Sequence, residues 1–418
     1  MNRVVLIGNG FDLAHGLPTK YEDFINWYWE QWGKKLRNSS KMVEQDVFCS
    51  FALKNTVGLK GWYLVHSHVY KLLPSTEYDY IKLTNTIKND KNICDFKCTS
   101  ILFLRICNSI ETKGWVDIEY EYYDLLCNYI KDSENCKFTL FELNNHLHFL
   151  RSLLIEYLTF LKTSHPQFTN PTVAEKIYSP ITKDDICISQ SSVFWNYVDS
   201  VLQHEDEYRD LLSQYCFTPR FIDDIIDYIN IFKKHYEGPA EYNGYSLNSI
   251  FYPKQILLLN FNYTTVADNY KKRVSIINHI HGIQYSPETI IFGYGDELDD
   301  DYKALLNQTD TESLKNIKSI KYLESSNYRK LLQFIESEPY QIYIMGHSCG
   351  NSDRTLLNTL FEHKNCVSIK PFYYQKRDGS DNYMEIVQNI CRNFTDMKLM
   401  RDYVVNKTYC EPLPQVSK

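Results

Sequence analysis

Arg3-Val4-Val5-Leu6-Ile7-Gly8-Asn9-Gly10-Phe11-Asp12-Leu13-Ala14-His15-Gly16-Leu17-Pro18 is the stretch on which the fold turns. Val4 to Ile7 is a short apolar, β-branched run of the kind that forms a buried strand. It stops at a Gly-x-Gly turn. A buried strand ending this way is how a parallel α/β sheet offers backbone N–H groups to a phosphate. The stretch therefore predicts a nucleotide site at Gly8, Asn9, Gly10 and Phe11. Alone, a Gly-x-Gly more often marks an ordinary strand-to-loop turn. The motifs further along the chain shift that balance.

Three later apolar runs also end in polar groups. Ile256-Leu257-Leu258-Leu259 leads into Asn260-Phe261-Asn262-Tyr263-Thr264. Ser275 to His281 carries His279-Ile280-His281-Gly282. Gln341-Ile342-Tyr343-Ile344-Met345 leads into Gly346-His347-Ser348-Cys349-Gly350. A helix is expected from Asp353 to His363, strands over Thr289–Phe292 and Cys366–Tyr374, and a helix over Met384–Phe394. Alternating strands and helices imply a parallel sheet, with ligands beyond its carboxyl ends. The expectation is an α/β protein with a parallel Rossmann-like sheet flanked by helices, built from residues 1–34 and 250–418. Residues 35–249 read as a mainly helical insertion after the first strand. Its clearest helix is the stripe Leu143, Leu147, Leu150, Leu154, Leu158 and Leu161. A helix face also recurs at Tyr21, Phe24, Ile25, Tyr28 and Trp32. Residues 84–100 and 163–185 read as loops, and 237–249 as the exit from the insertion.

The 418 residues leave room for two or three domains. There are 45 Lys and Arg against 52 Asp and Glu, a net charge of -7, which argues against nucleic acid as a partner. Lys34-Lys35-Leu36-Arg37 reads as a solvated helix face. The 34 tyrosines read as core and interface material. Cys94 and Cys98 stand four apart without a second pair, so no structural zinc is expected and no metal ligand is assigned. The N-terminal run is too short for a secretory signal, and no run reaches the roughly 18 apolar residues of a spanning helix. A cytoplasmic protein with reduced thiols and no membrane partner is expected. A homo-oligomer stays open.

The spacing from Gly8 to Pro18 resembles the sirtuin loop G-x-G-x-S-x-x-x-G-I-P, with Asp12 where that pattern has serine. Asn262-Tyr263-Thr264, His281-Gly282 and Gly346-His347-Ser348 resemble, in order, the Asn-Tyr-Asp, His-Gly and Gly-x-Ser segments of sirtuin-like NAD hydrolases. Thr264 replaces the aspartate, and Thr19-Lys20-Tyr21 stands where sirtuins have D-F-R. Nearly the whole chain resembles the AbiH family of bacteriophage abortive-infection proteins. The resemblance runs through residues 7–19, Trp115-Val116-Asp117-Ile118-Glu119, Asn260 to Thr264, His279 to Gly282, and Gly346 through Asp353. AbiH resemblance implies phage defence by abortive infection, set off by a phage-derived trigger, and names no reaction.

The sirtuin resemblance implies a sirtuin-type sheet with NAD as substrate or ligand, cleaved between nicotinamide and ribose. His281 would then act as general base, since imidazole titrates near neutral pH. Asn262 would hold water or the carboxamide. Asp12 would face ribose or the developing cation. Gly8, Asn9 and Gly10 would approach the pyrophosphate, and Ser348 the adenine-side ribose. Phe11, Asn260, Tyr263, Gly282, Gly346 and His347 complete the expected binding set. A second reading gives Asp117 and Glu119 a divalent metal and the hydrolysis of other nucleotides or nucleic acid. Those carboxylates share a face only on a strand, and a helix start would favour them for its dipole instead. A third reading is a nucleotide sensor without turnover. Asp353 is expected to N-cap its helix, and His279 to share a face with His281.

Overall fold

The computed structural model describes residues 1–39, 41, 43–53, 94–165, 169–236, 238 and 250–416. Residues 84–93 of the first expected loop, and nearly all of the expected exit at 237–249, lie outside the described residues. The strands are β1 (Asn2–Ile7), β2 (Val43–Gln45), β3 (Cys49–Leu53), β4 (Cys94–Cys98), β5 (Ile256–Asn260), β6 (Ser275–His279), β7 (Tyr340–Met345) and β8 (Cys366–Phe372). Five of them form an all-parallel sheet in the order β6-β5-β1-β7-β8. Counted in chain order, these parallel strands lie 3-2-1-4-5. The order reverses between β1 and β7, and a crevice at the carboxyl ends is expected at that point.

The central strand is buried along its whole length. Val4 and Leu6 join Leu257, Leu259, Ile342 and Ile344 in a core with Leu357, Leu360 and Ile390. Val5 and Ile7 point the other way, into a core shared with Trp29, Leu154 and Leu161. Both faces of the sheet are therefore covered, which is why its strands read as continuous apolar runs.

The segment after β1 supplies one of these covering layers. It contains α1 (Asn9–Ala14), α2 (Tyr21–Asn38), α3 (Ile101–Lys113), α4 (Ile118–Lys131), α5 (Leu140–Ser164) and α6 (Pro171–Ile177). It continues through α7 (Ser191–Gln203), α8 (Glu205–Gln214) and α9 (Pro219–His235). The leucine stripe forms the buried side of α5. The small antiparallel sheet β2-β3-β4 interrupts the helices. Helix α10 (Asp300–Leu306) joins that layer, packed against α4. The other layer includes α11 (Lys318–Lys321), α12 (Asn327–Ser337), α13 (Arg354–Phe361), α14 (Tyr383–Arg392) and α15 (Met397–Tyr403). Among the described residues no helix is long and apolar enough to cross a membrane.

Four expectations are corrected. Part of the 84–100 loop is strand β4. Part of the 163–185 loop is helix α6, started by Asn170 as N-cap and Pro171 in the first turn. Thr289–Phe292 is not a strand. Its apolar side chains are buried, but the segment crosses as a strap, with the Ile291 N–H on the His281 carbonyl (3.0 Å). The strand expected to reach His281 stops at His279. His281 lies in the following turn, so the two imidazoles do not share a strand face.

At the reversal point the Gly8-x-Gly10 turn lies directly on Gly346. Gly10 donates its N–H to the Gly346 carbonyl at 2.8 Å. A Cβ on Gly346, whose φ is +78°, would stand 2.1 Å from the Phe11 nitrogen. Gly346→Ala should therefore destabilise the protein by at least about 3 kcal/mol, since backbone on both sides of the switch would have to move. Gly379 has φ +86° but open space around it. Gly379→Ala should cost only about 1–2 kcal/mol, the conformational term alone. Urea unfolding of both variants checks the pair, and equal losses would show that the glycine contact is unimportant.

Candidate functional site

A cavity of about 780 Å³ opens beyond the carboxyl ends of β1, β5 and β7. Of the residues expected at a site, it is lined by Gly8, Asn9, Gly10, Asp12, Asp117, Glu119, Asn262, Tyr263, His281, Gly346, His347 and Ser348. Segments more than 300 residues apart in sequence meet here because parallel strands bring all their carboxyl ends to one edge.

Phe11, Asn260 and Gly282 do not line it. Phe11 is buried beneath the turn, its ring 4.6 Å from that of His15 and 5.4 Å from that of Tyr270. Asn260 shapes the β5 loop: its amide donates to the Thr264 carbonyl (3.0 Å) and its oxygen accepts from the Asn262 N–H (3.1 Å). Gly282 has φ +82° and lies against the Thr289 backbone. All three serve the shape of the wall. The Gly-x-Gly turn is likewise occupied. The N–H groups of Gly8, Gly10 and Phe11 are bonded to Met345, Gly346 and Gly8 carbonyls.

The inner wall is a buried network centred on Lys318. Its ammonium lies 2.8 Å from Glu119 Oε2 and 2.8 Å from Asp353 Oδ1. Glu119 Oε1 accepts the Gly293 N–H at 3.1 Å. His281 Nε2 faces Asp353 Oδ1 at 3.3 Å and the Tyr322 hydroxyl at 3.2 Å. His347 Nε2 faces Asp353 Oδ2 at 3.5 Å. The Cys349 N–H donates to His347 Nδ1 at 3.0 Å, which leaves the His347 proton on Nε2, toward the carboxylate. Cys349 reaches that position with a left-handed φ of 55°, uncommon for a residue bearing a side chain. The Phe261 ring contacts both imidazoles, at 5.2 Å from His281 and 4.1 Å from His347.

Charge states follow from this geometry. Burial works against the Lys318 ammonium, but Asp353 and Glu119 outweigh it and hold its pKa above the usual lysine value. Burial alone would raise the Asp353 carboxyl. Lys318, His281 and His347 outweigh it and hold Asp353 well below the usual carboxylate range. Burial, reinforced by Lys318, lowers the His281 pKa against the pull of Asp353, which favours the neutral imidazole. Glu119 is pushed up to about 7 by burial, with Lys318 opposing and Asp353 and Asp117 adding to the rise. Burial also pushes Asp12 up to about 7, only partly offset by Thr264 and Asn262. Thr264 donates its hydroxyl to Asp12 Oδ2 at 2.6 Å. Asn262 gives its amide N–H to the Gly8 carbonyl at 3.0 Å, tying the β5 loop to the β1 turn.

The two carboxylates of the Trp115–Glu119 motif separate as a helix start requires. Asp117 N-caps α4, accepting the Tyr120 N–H at 3.0 Å, and Glu119 turns inward from the first turn. Asp353 does the opposite of what was expected. It makes no side-chain cap and is the anion shared by Lys318 and both histidines. His279 is held by Asp268 (2.9 Å) and Asn260 (3.2 Å), and does not line the cavity. Lys318 and Tyr322 were missed. The only signal was Phe292-Gly293-Tyr294-Gly295, where small residues let Lys318 and Glu119 approach. A Cβ on Gly295 would stand 2.9 Å from the Lys318 Cβ. Among the described residues no group of three His, Cys, Asp or Glu side chains is placed to hold a metal ion.

The architecture defines a class: an α/β protein with a buried charged cavity at the switch of a parallel sheet, roofed by helices inserted after its first strand. Over residues 4–375 the chain matches the family described as bacteriophage abortive infection AbiH, and it belongs to that family. Membership supports an antiphage role by abortive infection. No curated relative and no solved structure matches the chain.

Removing Lys318 would leave two buried carboxylates facing each other. Lys318→Met should destabilise by about 3–5 kcal/mol. Adding Glu119→Gln should recover part of that loss, and a double-mutant cycle by urea unfolding measures the coupling. A coupling near zero would remove Lys318 from the centre of the site. Asp12 carries a sign that can be checked separately. Its folded value of about 7 lies above its ordinary 3.8, so between those pH values the folded protein holds the extra proton. Stability from this group therefore falls as pH rises through that window. Asp12→Asn should match the parent below about pH 4 and exceed it by roughly 4 kcal/mol at pH 8. Parallel melting curves from pH 5 to 8 would show no change in the gap if Asp12 were ionised throughout.

Proposed function

We propose that this cavity hydrolyses the bond between nicotinamide and ribose in NAD, and that the resulting loss of NAD is how the protein aborts infection. The observation that carries the reading is the placement of His281 against Asp353, 3.3 Å apart, in a cavity that Asp12, Asp117 and Glu119 also line. Nicotinamide leaves as a neutral molecule from a cationic ring, so no general acid is required. The transition state is oxocarbenium-like and needs nearby negative potential and an oriented water. Asp12 and Glu119 supply the potential. His281 takes the proton from water, and Asp353 orients the imidazole and stabilises it once protonated. Lys318 holds Asp353 ionised. Asn262, fixed by Gly8, meets the carboxamide or the water. A volume of about 780 Å³ falls within the usual range for a small-molecule site.

With the Gly8 and Gly10 N–H groups already bonded, the pyrophosphate is met by Asn9, Lys20 and Ser348, all on the cavity wall. Trp115, 62% exposed on the same wall, offers a face for the adenine ring. A metal-dependent nucleotide hydrolase built on Asp117 and Glu119 fits less well. Both oxygens of Glu119 already have partners, one of them an ammonium, and Asp117 caps a helix.

The test follows nicotinamide release from NAD by purified protein, alone and with phage lysate. His281→Ala should lower turnover by about 100-fold or more. The rate should climb through about pH 7 as Asp12 and Glu119 ionise, and Asp12→Asn should flatten that limb. NAD bound but never cleaved, with or without lysate, would replace the hydrolase reading by a sensor. NAD neither bound nor cleaved would remove it altogether.

A further inference from the structure

Away from the cavity, the small antiparallel sheet sets two thiols opposite one another. In the β3–β4 ladder Cys49 is the partner of Cys98. The neighbouring pair is Phe48 and Thr99, where the Thr99 N–H donates to the Phe48 carbonyl at 2.8 Å. Opposed residues in an antiparallel ladder alternate between hydrogen-bonded and non-hydrogen-bonded pairs. Phe48–Thr99 is bonded, so Cys49–Cys98 is the non-bonded kind, with Cα atoms about 4.5 Å apart and side chains close together. That spacing lies inside the roughly 4.4–6.8 Å a disulfide needs. Both cysteines are free thiols in the structure.

We propose that Cys49 and Cys98 form a reversible disulfide, a thiol-modification site whose oxidant is a low-molecular-weight disulfide. Cys98 is partly exposed and Cys49 is buried, which fixes the order of events. The Cys98 thiolate attacks one sulfur of the oxidant, forms a mixed disulfide and expels one small thiolate. The Cys49 thiolate then attacks the Cys98 sulfur, closes the cross-strand bond and expels the second. The protein loses two protons and two electrons. The oxidant gains them and leaves as two thiols. Contact with the Cys49 thiol also holds Cys98 below the usual thiol value, which favours it as the first nucleophile, while Cys49 is raised by that contact and by burial.

The site is wired to the rest of the fold through Asp46. This carboxylate accepts the Cys49 N–H (2.8 Å), the Tyr28 hydroxyl (2.9 Å) and the Trp32 indole N–H (2.9 Å). Tyr28 and Trp32 belong to α2, whose first residue, Tyr21, lines the cavity.

The full-length protein is incubated with oxidised glutathione, alkylated, digested without reduction and mapped by mass spectrometry. The expected result is one linked peptide pair joining Cys49 to Cys98, lost on reduction. Cys49→Ala should instead accumulate a glutathione adduct on Cys98, and Cys98→Ser should show none on Cys49. A folding defect in either variant leaves the parent's peptide map to decide. Recovery of the parent's Cys98 as a stable glutathione adduct, as an unmodified thiol, or linked to Cys94 or Cys107 would overturn the proposal.

Discussion

The Lys318 ammonium is the constraint around which the site is arranged. It is buried, and its two partners come from different layers of the molecule. Glu119 comes from the helices inserted after β1, and Asp353 from the segment between β7 and α13. A buried charge of this kind is costly to desolvate and stabilises only when its partners are fixed and fully bonded. Here they are. Gly293 completes Glu119, and the two histidines complete Asp353. The site exists only when both layers are seated, so its chemistry is coupled to assembly of the whole fold.

A second buried cation fixes the same layer at the opposite end of the sheet. Arg3, near the amino end of β1, is fully enclosed and bonds the carbonyls of Ile177, Ser179 and Pro180. It also reaches Gln341 and Tyr343 on β7. Lys370 on β8 pairs with Asp185, just beyond that segment, at 2.9 and 3.0 Å. The inserted helices are thus fastened at both ends of the sheet. This arrangement resists a hinge-like lifting of the layer from the cavity. Access is better sought at the mouth, where Trp115 and Tyr374 are exposed.

The fold was legible because buried parallel strands write themselves as apolar runs. Val4–Ile7, Ile256–Leu259 and Gln341–Met345 each lie within a strand found in the structure. Thr289–Phe292 misled for the same reason: burial makes a segment apolar, and only hydrogen bonding makes it a strand. The cavity wall was partly legible, since polar residues placed just after apolar runs must collect at the carboxyl edge. His281, Asn262 and Asp12 were found in that way. Lys318 was not, because a lysine within Asn316-Ile317-Lys318-Ser319 looks like any surface lysine. Its burial depends on Glu119, nearly 200 residues earlier in the chain, and no local pattern records that. Asp353 was seen and given the wrong task, because an aspartate before a helix is usually its cap.

What remains is why a stable protein should keep Asp12 and Glu119 buried with values near 7. Glu119 at least shares the Lys318 ammonium with Asp353. Asp12 balances no charge and has only hydroxyl and amide partners nearby. Ionised at neutral pH it costs folding free energy, so its persistence is better explained by what the cavity must hold than by what the fold requires. Two acids that gain charge around pH 7 beside an uncharged base form an environment for a positive centre. Such a centre is stabilised by charge of this sign wherever it forms within the cavity.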